Sequence, residues 1–264
     1  MPRDFSQPHR SEFPKGITFR GRRAISHLEM QTIEAILFEP VGCLAEFAPE
    51  EFDAIAVRVF GCPPASGRSG SEAYWDVLNL MDAGGSRLTA RERAMVEEYE
   101  IQAVDRVRAY EDVAPALSAL KDLGITSIVA SSLSAAAVAR FLQKFSLVNC
   151  FADVWSYDAA GGVKSAPLRK AVTSRSLEPD RVMFITDTAE GLQTAKHVGV
   201  SAILMMNDPD EAMKLTAHEP AGGIVSLHEL PDFVRLVAAE NARSAPETGP
   251  RSPRRPCRPA SSQV

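Results

Sequence analysis

The sequence predicts an α/β fold, namely a Rossmann-like, doubly wound parallel sheet of five or six strands with an α-helical subdomain inserted after the first strand. Two observations lead to this prediction. Short apolar runs alternate with longer amphipathic stretches, and that alternation is typical of buried parallel strands covered by helices on both faces. Residues 47–108 break the alternation, because they contain several helical runs and no convincing strand.

The individual elements follow from local composition. Strands are predicted where large apolar residues run together, at Ile33–Phe38, Ser127–Ala130, Ala152–Trp155, Val182–Ile185, Ala202–Leu204 and Gly223–Val225. Core helices are predicted between them, at Val113–Leu123, Ser134–Phe145, Ala166–Ser176, Ala189–Val198, Pro209–Leu215 and Leu227–Ala238. The insertion contributes helices at Pro49–Phe60, Ser71–Met81 and Thr89–Arg108. The predicted domains are therefore an α/β core of residues 31–46 and 109–240 and a helical cap of residues 47–108.

Charge is distributed unevenly along the chain. Residues 1–30 carry six Lys or Arg and three acidic side chains, and residues 241–264 carry five Arg and one Glu. Since the whole chain has a formal charge of −5, the body between them carries about −12. An acidic body argues against a nucleic-acid-binding surface. Both termini lack an apolar period and are predicted to be disordered extensions; alternatively, Met30 is the true start.

Composition also limits where the protein is expected to work. No apolar stretch approaches the ~18 residues that a membrane helix needs, so no membrane association is expected. No apolar segment follows the basic N-terminal residues, as a secretory signal would require. The four cysteines stand far apart, without a C-x-x-C pair or a neighbouring His cluster. Neither a zinc site nor a disulfide scaffold is indicated, and a reducing cytoplasm is the default expectation.

Polar side chains follow several of the predicted strands. The first strand runs into Glu39-Pro40-Val41-Gly42, the second runs into Ser131-Ser132, and the strand VMFITD ends at Asp187. A loop of sequence GGVKSAP presents Lys164 just before a helix. In open parallel sheets, ligands bind beyond the carboxyl ends of the strands. These side chains are therefore expected to share one site.

In this order and on these elements, the segments resemble the haloacid dehalogenase superfamily, specifically its phosphoglycolate-phosphatase-like members with a helical cap. The stretches AYEDVAPALSALKDLGI and ITDTAEGLQTAKHVGV are similar to further family segments, and the resemblance covers roughly Ile33 to Phe233. It implies an Asp nucleophile at the first strand end and a second Asp, two residues later, as the acid/base. It also implies Mg²⁺, held by the nucleophile, a backbone carbonyl and acids of the last motif.

The sequence departs from that scheme at three positions. Glu39 stands in the nucleophile's place with one extra methylene, and a displacement near 1 Å can reduce the rate on the order of a hundredfold. Val41 stands in the acid/base position and cannot transfer a proton, a role worth about 10²–10⁴ in rate. Gly191 stands where the second acid of the last motif should be, with Glu190 beside it.

The resemblance nevertheless assigns a site residue by residue. The catalytic candidates are Glu39, Ser131 and Lys164. The phosphate-binding candidates are the backbone around Val41 and Gly42, together with Ser131, Ser132 and Lys164, since hydroxyl, ammonium and backbone N–H groups can hold an anion. The metal candidates are Glu39, Val41 through its carbonyl, and Asp187, and we expect Mg²⁺ binding to be weak or absent.

Two functions remain open. The first, which we favour, is a haloacid dehalogenase-like protein with an eroded site that binds a phosphorylated metabolite or a protein partner with little or no turnover. The second is an altered Mg²⁺-dependent phosphatase that hydrolyses a small phosphomonoester with Glu39 as its nucleophile. The missing acid at Val41 favours the first, because backbone movement can rescue a lengthened nucleophile but not an absent proton donor.

Structural explanations compete for several of these residues. Ser131 and Ser132 could be helix N-caps, for which Ser is favoured. Cys43 is better explained as a small buried thiol than as a nucleophile. Tyr74 and Trp75 could face a substrate, although packing between helices is the commoner role of such aromatics.

Overall fold

The structure, a computed structural model, describes residues 33–64, 68–84 and 88–244. The extension predicted for residues 1–30 lies outside the described residues, as does the predicted C-terminal extension from residue 245 onward. The last described helix runs to Ser244, so residues 241–244 continue a helix instead of beginning the predicted extension.

Six parallel strands form the central sheet, as the sequence predicts. The strands are β1 (Ala35–Phe38), β4 (Thr126–Ala130), β5 (Asp153–Trp155), β6 (Val182–Thr186), β7 (Ser201–Met205) and β8 (Gly222–Ile224). Their order across the sheet is β5-β4-β1-β6-β7-β8. The chain fills one side of β1 with β4 and β5 and then crosses to the other side for β6 to β8. The carboxyl end of β1 therefore lies at the topological switch point, where open α/β sheets bind ligands.

The register of β1 determines which side chains can meet at that edge. Phe38, the last residue of β1, is paired with Val129 of β4 and with Ile185 of β6. Ser131 and Asp187 each lie two residues beyond these partners, so both flank the turn that follows Phe38. All four residues of β1 are fully buried, because helices cover both faces of the sheet.

Helices of the core connect the parallel strands. They are α5 (Val113–Asp122), α6 (Ala135–Lys144), the single turn α7 (Tyr157–Ala160), α8 (Ser165–Ser174), α9 (Ala189–Val198), α10 (Pro209–Leu215) and α11 (Leu230–Ser244). Helix α6 begins where the Ser134 side chain accepts a hydrogen bond from the Ala137 N–H, and α9 begins where Thr188 does the same for Gly191. The predicted N-cap role of Ser131 and Ser132 is therefore wrong, since Ser134 caps α6. None of the helices in the described ranges is long and apolar enough to cross a membrane.

The inserted cap consists of three helices, α2 (Pro49–Phe60), α3 (Gly70–Gly84) and α4 (Ala90–Arg106). Helix α4 starts with a capping box in which the side chains of Thr89 and Glu92 each accept the other's backbone N–H. Two short strands that the sequence did not predict, β2 (Ala45–Glu46) and β3 (Arg108–Ala109), pair antiparallel where the chain leaves the core and returns to it. A two-residue strand lacks a detectable period, which is why the sequence pattern missed it.

Aromatic rings join the cap to the core. Phe47, which precedes the cap helices, stacks on Phe141 of α6 with ring centroids 6.4 Å apart and contacts Phe52 of α2 at 5.7 Å. The Lys144 ammonium, at the end of α6, donates to three backbone carbonyls near the end of α4, at distances of 2.7 to 2.9 Å. Because a cation at a helix C-terminus satisfies otherwise unpaired carbonyls, this contact fastens α4 to the core.

Candidate functional site

The candidate site lies at the carboxyl ends of β1, β4 and β6, beneath the cap. The turn after β1 is a single buried helical turn, α1 (Pro40–Cys43), interrupted by an extended Val41 and by a left-handed Gly42 with φ of 77°. Gly42 is required there for two reasons, since its φ favours glycine and a Cβ would lie 2.2 Å from both Asp187 Oδ2 and Ser71 Oγ. Because residue 42 lacks a side chain, its backbone can pack directly against the Asp187 and Ser71 side chains.

Glu39 is buried and its carboxyl group is held by three donors. The Ser131 hydroxyl donates to Oε1 at 2.6 Å, and the Ser132 backbone N–H donates to Oε2 at a longer 3.4 Å. The backbone of Val41 adds a further hydrogen bond. These donors belong to residues that the sequence assigns to phosphate binding. In the structure they bind the protein's own carboxyl group.

Burial raises the pKa of Glu39 to about 8, and the hydrogen bonds from Ser131, Ser132 and Val41 oppose that rise only in part. The nearby Asp187 raises it further. A raised carboxyl pKa is expected where desolvation is not balanced by a neighbouring cation. The site as it stands therefore lacks compensating positive charge.

Asp187 bridges core and cap. Its Oδ2 accepts hydrogen bonds from the Ser71 hydroxyl of α3 at 2.6 Å and from the Asn207 amide at 3.1 Å. The same amide donates to the Gly42 carbonyl at 2.8 Å. Burial raises the pKa of Asp187 to about 6, against the lowering effect of these hydrogen bonds.

Lys164 contributes to the site differently from the prediction. Its backbone N–H donates to the Ser132 hydroxyl at 2.6 Å. Its ammonium group pairs with Asp82 of the cap at 3.2 Å, and no hydrogen bond joins it to Glu39 among the described residues. The lysine therefore closes the cap against the core instead of facing the carboxyl group at the first strand end.

Val41 and Cys43 are also placed by packing. The Val41 side chain is 1% exposed and belongs to the apolar core, so it reaches the site through its backbone alone. The Cys43 thiol donates to the Ile185 carbonyl at 3.4 Å, and burial raises its pKa well above the usual range. That environment keeps the thiol protonated and unreactive, as expected of a small buried side chain.

The residues present do not form a good magnesium site. Within the described ranges, no group of three or more His, Cys, Asp or Glu side chains is arranged to hold a metal ion. Mg²⁺ demands near-octahedral oxygen ligands, whereas both oxygens of Glu39 and Oδ2 of Asp187 already accept hydrogen bonds from protein donors. A carboxylate cannot be restored simply at Gly191, because a Cβ there would lie 1.8 Å from the Thr186 hydroxyl oxygen.

Two further cap residues, which are not among the site residues predicted from the sequence, cover the site. Glu100 of α4 is 1% exposed, and its Oε2 accepts the Ser134 backbone N–H at the start of α6 at 2.8 Å. Burial raises the pKa of Glu100 to about 8. Tyr74 of α3 is equally buried, and its hydroxyl lies beside those of Ser131 and Ser132 without a hydrogen bond of good geometry to either. Trp75 is buried in the same apolar cluster.

A carboxyl group of the core meets a carboxyl group of the cap at the rim of the site. Glu211 of α10 lies against Glu72 of α3, and the pKa of Glu211 rises to about 7 through burial first and then through the Glu72 carboxyl group. Two carboxyl groups in contact favour the protonated form of one of them. The cap–core boundary is thus lined with acidic groups from both sides.

Asn207 and Ser71 also contribute to the site, although the sequence analysis did not predict either of them. A sequence signal was available for the first residue but not for the second. Asn207 follows β7, so the rule that polar residues after strand ends form the site would have found it. Ser71 comes from a helix of the cap, and nothing in its local sequence indicates that it reaches Asp187. Its position depends on how the cap docks.

Comparison with known proteins identifies the fold. The family model of haloacid dehalogenase-like hydrolases matches residues 78–205. No curated protein matches the sequence. Among solved structures, a conserved haloacid dehalogenase-like protein of unknown function from Agrobacterium tumefaciens is similar at a TM-score of 0.57, with 21% identity over 78% of this chain and 99% of that one.

Two further structures have named activities. A predicted phosphoglycolate phosphatase from Haemophilus somnus is similar at a TM-score of 0.57, with 18% identity over 77% of this chain and 99% of that one. An L-2-haloacid dehalogenase from Xanthobacter autotrophicus, with chloropropionic acid covalently bound, gives 0.52, with 19% identity over 77% of this chain and 98% of that one. At such low identity these similarities establish the shared fold and leave the reaction open.

The close contact at Gly42 leads to a first prediction. Gly42→Ala should lower the free energy of unfolding by several kcal/mol, since the new methyl group must displace the Asp187 and Ser71 side chains. Gly61→Ala is the matched control, because Gly61 has a similar φ of 70° and nothing within 4 Å of its Cβ position; it should cost only about 1 kcal/mol. Urea denaturation measures both. Equal costs would mean that the site tolerates displacement of Asp187.

The burial of Glu100 leads to a second prediction. Because its pKa is higher in the folded chain than in the unfolded one, its contribution to stability is complete below about pH 4.5 and is lost as pH rises through about 8. Glu100→Gln cannot ionise. Relative to the parent, this variant should therefore become more stable between pH 5 and 9, by on the order of a few kcal/mol.

Denaturation at both pH values tests this, with Glu98→Gln as the control, since Glu98 is an exposed residue of the same helix. A parent and a Glu100→Gln variant that lose stability in parallel between pH 5 and 9 would show that Glu100 is not buried in solution.

Proposed function

We propose that this protein, which has the fold and matches the family model of the haloacid dehalogenase-like hydrolases, binds a small phosphorylated metabolite without hydrolysing it. The observation that supports this proposal is the position of the Glu39 carboxyl group. It lies on the Ser131 hydroxyl and on the backbone N–H groups of Ser132 and Val41. Phosphate oxygens need donors of the same kind, so Glu39 occupies the place of an anionic ligand.

The chemistry of phosphoryl transfer is poorly supported by this arrangement. A nucleophilic carboxylate must be ionised and free to attack, whereas Glu39 is buried, hydrogen-bonded on both oxygens and raised in pKa. The second carboxylate needed for proton transfer is replaced by the apolar, buried Val41. Binding with little or no turnover follows, and we expect weak or absent Mg²⁺ binding because oxygens of Glu39 and Asp187 already accept hydrogen bonds from protein donors.

Turnover is tested with p-nitrophenyl phosphate, whose leaving group needs little protonation. We expect no phosphatase activity from the full chain, with or without Mg²⁺, above that of its Glu39→Gln variant. Gln keeps the length of the side chain and removes its capacity for nucleophilic attack. Mg²⁺-dependent turnover by the parent that disappears in Glu39→Gln would instead establish the alternative, an altered phosphatase that uses Glu39.

Binding is tested with inorganic phosphate in calorimetric titrations without added metal. Glu39→Ala should bind phosphate roughly tenfold or more tightly than the parent, because it frees the Ser131 and Ser132 donors and removes a competing carboxyl group. Glu46→Ala is the control, since Glu46 is an exposed glutamate on β2 and should leave the affinity unchanged. Weaker phosphate binding by Glu39→Ala than by the parent would show that Glu39 supports the ligand instead of replacing it.

A further inference from the structure

Glu100 carries a buried oxygen atom that has no well-formed hydrogen bond within the described ranges of the chain. Its Oε2 accepts the Ser134 N–H, and the Ser134 hydroxyl lies beside the carboxyl group, but Oε1 is inaccessible to solvent and makes no hydrogen bond of good geometry among the described residues. Leaving a buried polar group unsatisfied is unfavourable, by about 1–3 kcal/mol and more for a charged group. A native structure that retains such an atom where cap and core meet is explained if a ligand group supplies the missing partner.

The Tyr74 hydroxyl points to the same location. It is buried, lacks a hydrogen bond of good geometry, and lies close enough to Glu39 and Glu100 that both carboxyl groups raise the pKa of its phenol. The Tyr74 hydroxyl thus lies near both acidic groups. A ligand enclosed between cap and core at Glu39 would also reach Glu100.

The charges around Glu100 decide which kind of group can bind there. Asp158 and Glu97 both act on Glu100 as like charges, and no ion pair joins it to a basic side chain in the described part of the chain. A second anionic group would meet this set of carboxylates. An ammonium group would favour the ionised form of Glu100, with release of the carboxyl proton to solvent, and would form a charge-assisted hydrogen bond to it.

We infer that the ligand of this site carries a primary ammonium group that binds Oε1 of Glu100, in addition to the phosphate group that competes with Glu39. The inference rests on the proposed function for its phosphate end. Its ammonium end rests on the burial and unpaired oxygen of Glu100. The ligand class is therefore a small aminoalkyl phosphate.

The chain itself limits the length of that ligand. Glu39 is bound by Ser132 and Glu100 is bound by Ser134, through the backbone N–H group in each case. Two residues span at most about 7 Å, so the two anchoring N–H groups are close together. A linker of about two carbon atoms between phosphate and ammonium suits this spacing.

The test compares O-phosphoethanolamine with ethyl phosphate, two probes that differ in the ammonium group, by calorimetric titration of the full chain. The parent should bind O-phosphoethanolamine roughly ten- to a hundredfold more tightly. Glu100→Gln should lose this preference while retaining affinity for ethyl phosphate. Glu98→Gln is the matched control and should keep the preference, because Glu98 lies on the same helix as Glu100 but is exposed.

The outcomes separate the inference from the proposed function. Equal affinity of the parent for the two probes overturns the inference and leaves phosphate binding intact, and this comparison does not depend on any variant folding. A preference that persists in Glu100→Gln also overturns it. If neither O-phosphoethanolamine nor ethyl phosphate binds, the proposed function fails, and thermal denaturation with ethanolamine alone then decides the inference. Stabilisation of the parent protein by ethanolamine, without stabilisation of Glu100→Gln, supports the inference. If ethanolamine stabilises neither protein, the inference is overturned.

Discussion

The hydrogen bond from the Ser131 hydroxyl to the Glu39 carboxyl group, 2.6 Å long, determines the state of the whole site. Glutamate reaches one methylene farther than aspartate, and here its carboxyl group extends from the end of β1 to the end of the neighbouring β4. The donors gathered at that strand end are satisfied internally. Since buried donors without partners are costly, the filled site is stable in the absence of a ligand.

Polar contacts between the cap and the core also hold the cap closed over the site. Ser71 reaches down to Asp187, Glu100 accepts an N–H at the start of α6, and Lys164 pairs with Asp82. Each contact joins a cap side chain to the core within or beside the site. The cap is consequently part of the site, and any group that displaces Glu39 must be accommodated beneath it.

Buried acidic groups dominate the electrostatics of the site. Burial raises the pKa of Glu39, Glu100 and Asp187 alike, and Lys164, which the sequence assigned to this site, directs its ammonium to an exposed acid of the cap. Three buried acidic groups that lack compensating positive charge disfavour an anionic ligand, unless one of the three side chains moves out of the site. They are suited to a ligand that brings positive charge with it, which is why the two ends of the inferred ligand differ in sign.

The sequence by itself determined the sheet, the alternation with helices and the superfamily resemblance, and these are confirmed, because apolar periodicity reports burial directly. It also predicted that Glu39, Ser131 and Asp187 lie at one edge of the sheet, since parallel strands bring their carboxyl ends together. Only the tertiary structure decided what these residues contact. The partners Ser71, Glu100 and Tyr74 lie on cap helices whose docking depends on packing across the whole interface. Hydrogen bonds between residues 34 to 116 positions apart leave no trace in local sequence.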